Sequence, residues 1–177
     1  MVAEDIQLMA EGLRHSKLIL RKLEPSDLPY LYQWENDAAA WSDGATHNPL
    51  SQQDLRDYIA STTGDIYRDG QLRLIAQDEE LTIGCADLFD LDPRNRKAAI
   101  GLYVAPEYRG QGYSEDIMQL LEEYAFTHLN LRLLYAIIRT DNAPCTALYK
   151  QCAYVPSSPL RNWTLEADAI LWQKTKQ

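Results

Sequence analysis

Cysteine is scarce in this 177-residue chain: Cys85, Cys145 and Cys152 form no C-x-x-C pair and no cluster with histidine. An odd, scattered set builds neither a disulfide framework nor a zinc site. Cys145 and Cys152 fall on one predicted helix, about 10 Å apart by helical rise, too far to bridge. His15, His47 and His128 stand at no ligand spacing, so no metal is expected. No apolar run approaches the roughly 18 residues that span a bilayer, so no membrane partner is expected. Basic residues are outnumbered 17 to 26, for a net charge of −9, which opposes nucleic acid as a partner. If the acidic residues gather at a cleft they favour a cationic ligand; diffuse surface acidity for solubility is the other reading. Glu4, Asp5 and Glu11 break the basic-then-apolar order of a secretion signal, so a cytoplasmic protein is expected.

What is present is the composition of a globular domain, 46% hydrophobic with eleven Tyr and four Trp. The length fits one domain with a full core. Residues 1–14 read as a lead of uncertain order, and 15–177 as that single domain.

The chain is organised around residues 98–129. Ala98-Ala-Ile-Gly-Leu-Tyr-Val104 reads as a strand stopped by Pro106. Gly101 within it predicts a bulge or a close backbone approach. Farther on, Ile117, Leu120, Leu121, Tyr124 and Leu129 recur at helical spacing, with Glu115, Asp116, Gln119, Glu122 and Glu123 on the opposite face. Between strand and helix, Gly110 and Gly112 can take positive φ and bring amides close to a ligand at a helix N-terminus, a place that binds phosphate. A Walker loop is absent. A dinucleotide G-x-G-x-x-G also fails, because Glu115 stands where the third glycine belongs. A strand-turn-helix with glycines for geometry alone is the plain alternative.

The preceding chain reads as a strand at Lys17–Leu23, then Glu24-Pro-Ser26-Asp27 with Ser26 as a helix cap, and a short helix carrying Leu28, Leu31, Tyr32 and Trp34. Ser51 caps a second helix through Tyr58 and Ile59. Leu72–Ala76 and Leu81–Phe89 read as antiparallel strands, and Asp92–Arg96 as a turn. After the long helix, Leu131–Ile138 reads as a central strand covered on both faces. Asn142 caps another helix that tolerates Pro144 in its first turn, with Cys145, Leu148 and Cys152 on its apolar side and Tyr149 off that stripe. Ala153–Val155 reads as a short strand, Pro156–Pro159 as a loop, and Leu165–Trp172 as the last strand.

Arg109-Gly-Gln-Gly-Tyr-Ser114 resembles the Q/R-x-x-G-x-G/A signature of the GNAT N-acetyltransferases, with Ser114 in place of the last small residue. Asn142-Ala-Pro-Cys-Thr-Ala-Leu-Tyr149-Lys-Gln-Cys-Ala-Tyr154 is similar to that family's second landmark, with Ala153 where glycine is usual. That exchange strains a positive-φ turn. The resemblance implies an α+β GNAT acyl-CoA N-acyltransferase fold: a central, mostly antiparallel twisted sheet with splayed strands, flanked by four helices. It also implies acetyl-CoA as cosubstrate, no metal, and direct transfer of the acetyl group to a primary amine.

By the same resemblance, Arg109, Gly110, Gln111, Gly112, Tyr113 and Ser114 hold the diphosphate of CoA. Leu102, Tyr103 and Val104 line the acyl-pantetheine arm, with Val104 supplying an oxyanion amide, and Asn142 contacts that arm or serves as a bare cap. Tyr149 matches the tyrosine that protonates the leaving thiolate; a phenol with pKa near 10 suits that task. Asp87, mid-strand among apolar neighbours, matches a strand acid used as general base; a solvent-facing strand Asp is the plain reading. The resemblance is nearest to the spermidine and ribosomal-protein alanine acetyltransferase branch, in which Glu35, Asp37 and Asp43 would wall the acceptor site and suit a polyamine. A protein N-terminal amine, a small amine of another kind, or a non-catalytic CoA-binding module remain alternatives, and a homo-oligomer is possible in this branch.

Overall fold

Alternating side chains give the central sheet two apolar faces, and the helices sort onto them. The computed structural model describes residues 13–37 and 48–176. Its strands are β1 (Leu18–Lys22), β2 (Leu72–Asp78), β3 (Leu81–Asp92), β4 (Lys97–Val104), β5 (Leu133–Arg139), β6 (Val155–Leu160) and β7 (Ala169–Thr175). The helices among the described residues are α1 (Leu28–Glu35), α2 (Gln52–Ser61), α3 (Ile66–Asp69), α4 (Tyr113–Glu123) and α5 (Ala143–Gln151). The seven strands run in the order β1-β2-β3-β4-β5-β7-β6, antiparallel throughout except for the parallel pair β4–β5. No helix among the described residues is long and apolar enough to cross a membrane.

One face of the sheet presents Leu72, Leu74, Ala86, Leu88, Ala98 and Ile100 to Ile117, Met118, Leu120 and Leu121 of α4. Each such fully buried aliphatic side chain contributes about 1.5–3 kcal/mol. The other face presents Ile75 and Cys85 to Leu31 and Trp34 of α1 and Leu55 of α2. This second, smaller layer stands over the middle strands, where the site lies.

Several local readings change in three dimensions. Ser26 is not the helix cap: Pro25–Asp27 is a 3-10 turn in which buried Asp27 accepts from the Glu24 amide (2.8 Å) and pairs with both ends of the Arg21 guanidinium. Ser51 does cap α2, accepting from the Asp54 amide. Gly101 sits in regular register opposite Asp87, and the β3–β4 irregularity falls instead between Phe89 and Asp92. The close backbone approach belongs to Gly84, where a Cβ would collide with the Tyr103 carbonyl. Pro156–Pro159 belongs to β6, not to a loop, because β6 is the outermost strand and an edge tolerates missing donors. Asp116 and Glu122 are buried, not on a solvated face of α4: Asp116 is covered by residues 14 and 15, and Glu122 pairs with Lys174 of β7.

α4 continues as a π-helical turn, Tyr124–His128. α5 ends with Ala153 at φ 63°, its turn closed by the Ala153 amide on Lys150 O and the Tyr154 amide on Tyr149 O. The left-handed conformation costs an alanine about 1–2 kcal/mol relative to glycine, and the buried tyrosines on either side hold the turn regardless. Ala153→Gly should therefore raise stability by about 1 kcal/mol, a shift of about 2–4 °C in the thermal midpoint; an unchanged or lowered midpoint by calorimetry contradicts this account of the turn.

Candidate active site

The parallel pair β4–β5 is short. Only Lys97, Ala98 and Ala99 pair with Leu133, Leu134 and Tyr135, although β4 continues to Val104 and β5 to Arg139. Beyond Ala99 the two strands diverge. On its other side β4 pairs with β3 from Ala99 to Val104, and the Ala105 amide continues that ladder onto Ile83 O at 2.9 Å. Main-chain groups alternate in direction along an antiparallel strand. Ala99, Gly101 and Tyr103 therefore spend theirs on β3, while Ile100, Leu102 and Val104 direct theirs into the gap. Of the three β4 residues expected at the cosubstrate, Leu102 and Val104 offer backbone to the open edge. Tyr103 does not: its ring packs on Trp34 at 5.5 Å on the opposite face of the sheet.

The gap leads to the glycine turn. Gly110 (φ 73°) and Gly112 (φ 92°) are both left-handed. A Cβ at Gly110 would meet nothing within 4 Å, so that approach is open. Gly112 is the residue before α4, and the amides of Tyr113, Ser114 and Glu115 have no carbonyl one turn back inside the helix. Such amides fit a diphosphate. The turn's side chains brace it: Arg109 Nε donates to Val104 O (2.9 Å) with its guanidinium over the Tyr103 ring, and Gln111 donates to Glu107 O. The Tyr113 hydroxyl donates to Asp78 (2.8 Å), and burial followed by this bond pushes its pKa up to about 12.

Across the gap, Asn142 Oδ1 accepts from the Cys145 amide at 3.1 Å and caps α5. Tyr149 is the buried residue of α5, with Cys145, Leu148 and Cys152 only half-buried; the side read as apolar is thus centred on Tyr149. Its hydroxyl donates to Ile100 O at 2.9 Å, where β4 leaves β5. Burial, with Cys145 and Cys152 nearby, raises the phenol above its ordinary value.

On the α1 side of the sheet, Asp87 is held by Arg73 through two parallel hydrogen bonds (2.8 and 2.9 Å), and Arg73 Nη1 also reaches Glu35. Burial would lower the Arg73 pKa, but Asp87 and Glu35 outweigh it and keep the group well above its usual value. The Tyr58 ring lies 5.9 Å from the guanidinium. Arg73 was not singled out from the sequence, although a charge alternating with Leu72 and Leu74, on the strand next to Asp87, was the available signal. Burial first, and Asp37 electrostatically, raise the Tyr103 phenol. Asp43 lies outside the described residues. Asp87 is opposite Gly101, one residue from the carbonyl that takes Tyr149. The two residues expected to carry the chemistry thus flank one point of β4.

The family model for the acetyltransferase (GNAT) domain matches residues 17–155. The chain belongs to that family, and it is an acetyl-CoA-dependent N-acetyltransferase. Among curated relatives it is 26% identical over 147 residues to a spermidine N(1)-acetyltransferase of Vibrio cholerae serotype O1, covering 82% of this chain and 83% of the relative. A spermidine N(1)-acetyltransferase of Escherichia coli K12 is 27% identical over 138 residues, covering 76% and 71%. A crystal structure of spermidine N-acetyltransferase from Vibrio cholerae in complex with CoA and spermine superposes with a TM-score of 0.80 at 23% identity, over 90% of this chain and 96% of that one.

Gly112→Ala should destabilise by about 1–2 kcal/mol through its φ of 92°, since the exposed Arg14 side chain that an added Cβ would meet can swing aside. Gly110→Ala, in open space, should cost a similar backbone strain of about 1 kcal/mol. Unchanged denaturant midpoints for both variants would contradict the left-handed strain at this turn.

Proposed function

We propose that the acceptor is a polyamine such as spermidine, acetylated on a primary amine by direct attack on the thioester. The observation that carries the reading is the edge of β4 from Ile100 to Val104, left without a strand partner among the described residues and running into the amides of the glycine turn. Leu102 and Val104 offer an extended arm the hydrogen bonds of a missing strand, and Gly110 through Ser114 take the diphosphate. The nitrogen lone pair then forms the new bond to the carbonyl carbon. The Val104 amide stabilises the oxyanion, and collapse breaks the carbon–sulfur bond.

Tyr149 keeps its proton over the working pH range and turns it from Ile100 O to the departing sulfur. A thiolate expelled beside it is desolvated by the same surroundings that raise the phenol, so their basicities stay comparable. Asp87 takes the amine's proton, its carboxylate held in place by Arg73. Glu35 and Asp87 both face the Arg73 guanidinium, carboxylates that a polycation entering on this side would meet. The spermidine acetyltransferases among the relatives support the same acceptor.

Direct attack also fits the state of Cys85, the thiol nearest this wall. It is buried and its pKa is pushed up to about 12 by desolvation and then by Asp87, so at pH 8 about one part in ten thousand is thiolate. Iodoacetamide at pH 8 should leave Cys85 of the native protein unlabelled by mass spectrometry; rapid labelling would reopen a covalent acetyl-thiol route.

Tyr149→Phe should lower kcat with spermidine by about tenfold or more while leaving the affinity for CoA within about twofold. A fall in CoA affinity with unchanged kcat would make Tyr149 structural. A screen of spermidine, spermine and N-terminal peptides checks the acceptor: highest kcat/KM on polyamines is expected, and preference for the peptides would replace the polyamine by a protein N-terminus.

A further inference from the structure

We propose that Arg14 is a ligand for the diphosphate of CoA, delivered to the glycine turn by a segment that buried Asp116 pins to the start of α4. The inference rests on the cosubstrate placement argued above. It begins from a missing cation. Arg109, the basic residue of the turn, has its Nε bonded to Val104 O and its guanidinium over Tyr103, so it braces the turn from behind. Glu107 precedes the turn, and Glu115 and Asp116 occupy the first turn of α4. A diphosphate arriving here meets amides but also the Glu115 carboxylate, while Asp116 is buried beneath residues 14 and 15 and Arg109 keeps its Nε on Val104 O.

Arg14 supplies that charge. A Cβ added to Gly112 would fall on its guanidinium, with Arg14 Cζ and Cδ 2.8 and 3.1 Å from that position. The guanidinium therefore already lies against the backbone that opens α4. The hold on this segment is specific. Asp116, 6% exposed, accepts from the Arg14 amide (3.3 Å), the His15 amide (2.8 Å) and His15 Nδ1 (2.7 Å), and the His15 ring stacks on Tyr113 at 3.7 Å between centroids. A buried carboxylate is costly unless so satisfied. Its effect is to fix the main chain at residues 14 and 15 while the Arg14 side chain stays 62% exposed, in a loose 3.8 Å pair with Glu115. Exposed pairs of this kind are weak, so the guanidinium can exchange Glu115 for a phosphate oxygen, with which it makes charge-assisted, paired hydrogen bonds. The buried residue on α4 thus serves the ligand at second hand: it aims an arginine.

Calorimetric titration of the full chain with CoA, dephospho-CoA and pantetheine tests this. Arg14→Gln should raise Kd about fivefold or more for both CoA and dephospho-CoA, which share the diphosphate, while pantetheine shifts less than about twofold. The thermal midpoint of the exposed variant should match the parent. An unchanged or tightened Kd for CoA, an equal loss for pantetheine, or a loss confined to CoA, which would move Arg14 to the 3′-phosphate, each overturns the assignment. Failure of the unsubstituted chain to bind CoA would overturn the cosubstrate placement itself, whereas equal binding by parent and variant would overturn only the role of Arg14.

Discussion

A β-strand whose second edge is left unpaired is costly, because its N–H and C=O groups must find partners. β4 carries that cost from Ile100 to Val104, and the surrounding molecule maintains it. β3 pairs the same residues on the other side in unbroken register. β5 is drawn away to a full ladder with β7, seven residue pairs long against three with β4. Tyr149 satisfies one carbonyl at the fork and Arg109 another at the far end, so the gap is framed at both limits and, among the described residues, open between them.

That edge also separates two electrostatic regimes. Toward α4, the chain offers left-handed glycines, first-turn amides and the Arg14 side chain. Toward α1 it offers Glu35 and Asp87 on Arg73. A protein of net charge −9 thus keeps backbone donors at one end of a strand apart from the carboxylates beside it, because the sheet holds the two sets on different faces. Arg73 moderates the second set by gripping Asp87 and Glu35 in fixed positions.

The elements were largely legible because their signals are local. Alternation marked the strands, the Asn142 and Ser51 caps marked helix starts, and Pro106 with two glycines marked the turn. The errors share one cause, a neighbour distant in sequence. Asp116 and Glu122 read as solvated because their period is that of an exposed face, yet one is covered by residues 14 and 15 and the other by Lys174. Prolines at 156 and 159 read as loop because periodicity cannot say that a strand is outermost. Gly101 read as a bulge or a close backbone approach, whereas its register is regular and the tight spot is Gly84, under the Tyr103 carbonyl.

By itself the sequence determined the α+β pattern, the phosphate-type turn and the two motifs by which the family is recognised, since each depends on backbone preferences and spacings within a dozen residues. Tertiary structure alone decided which main-chain groups of β4 are open, which face Tyr103 occupies, and which charges meet. The Arg73 clamp on Asp87 and the Asp116 hold beneath Arg14 join residues 14 and 102 positions apart. Pairing at that range is set by how strands stack and where helices cross them, and no local pattern encodes it.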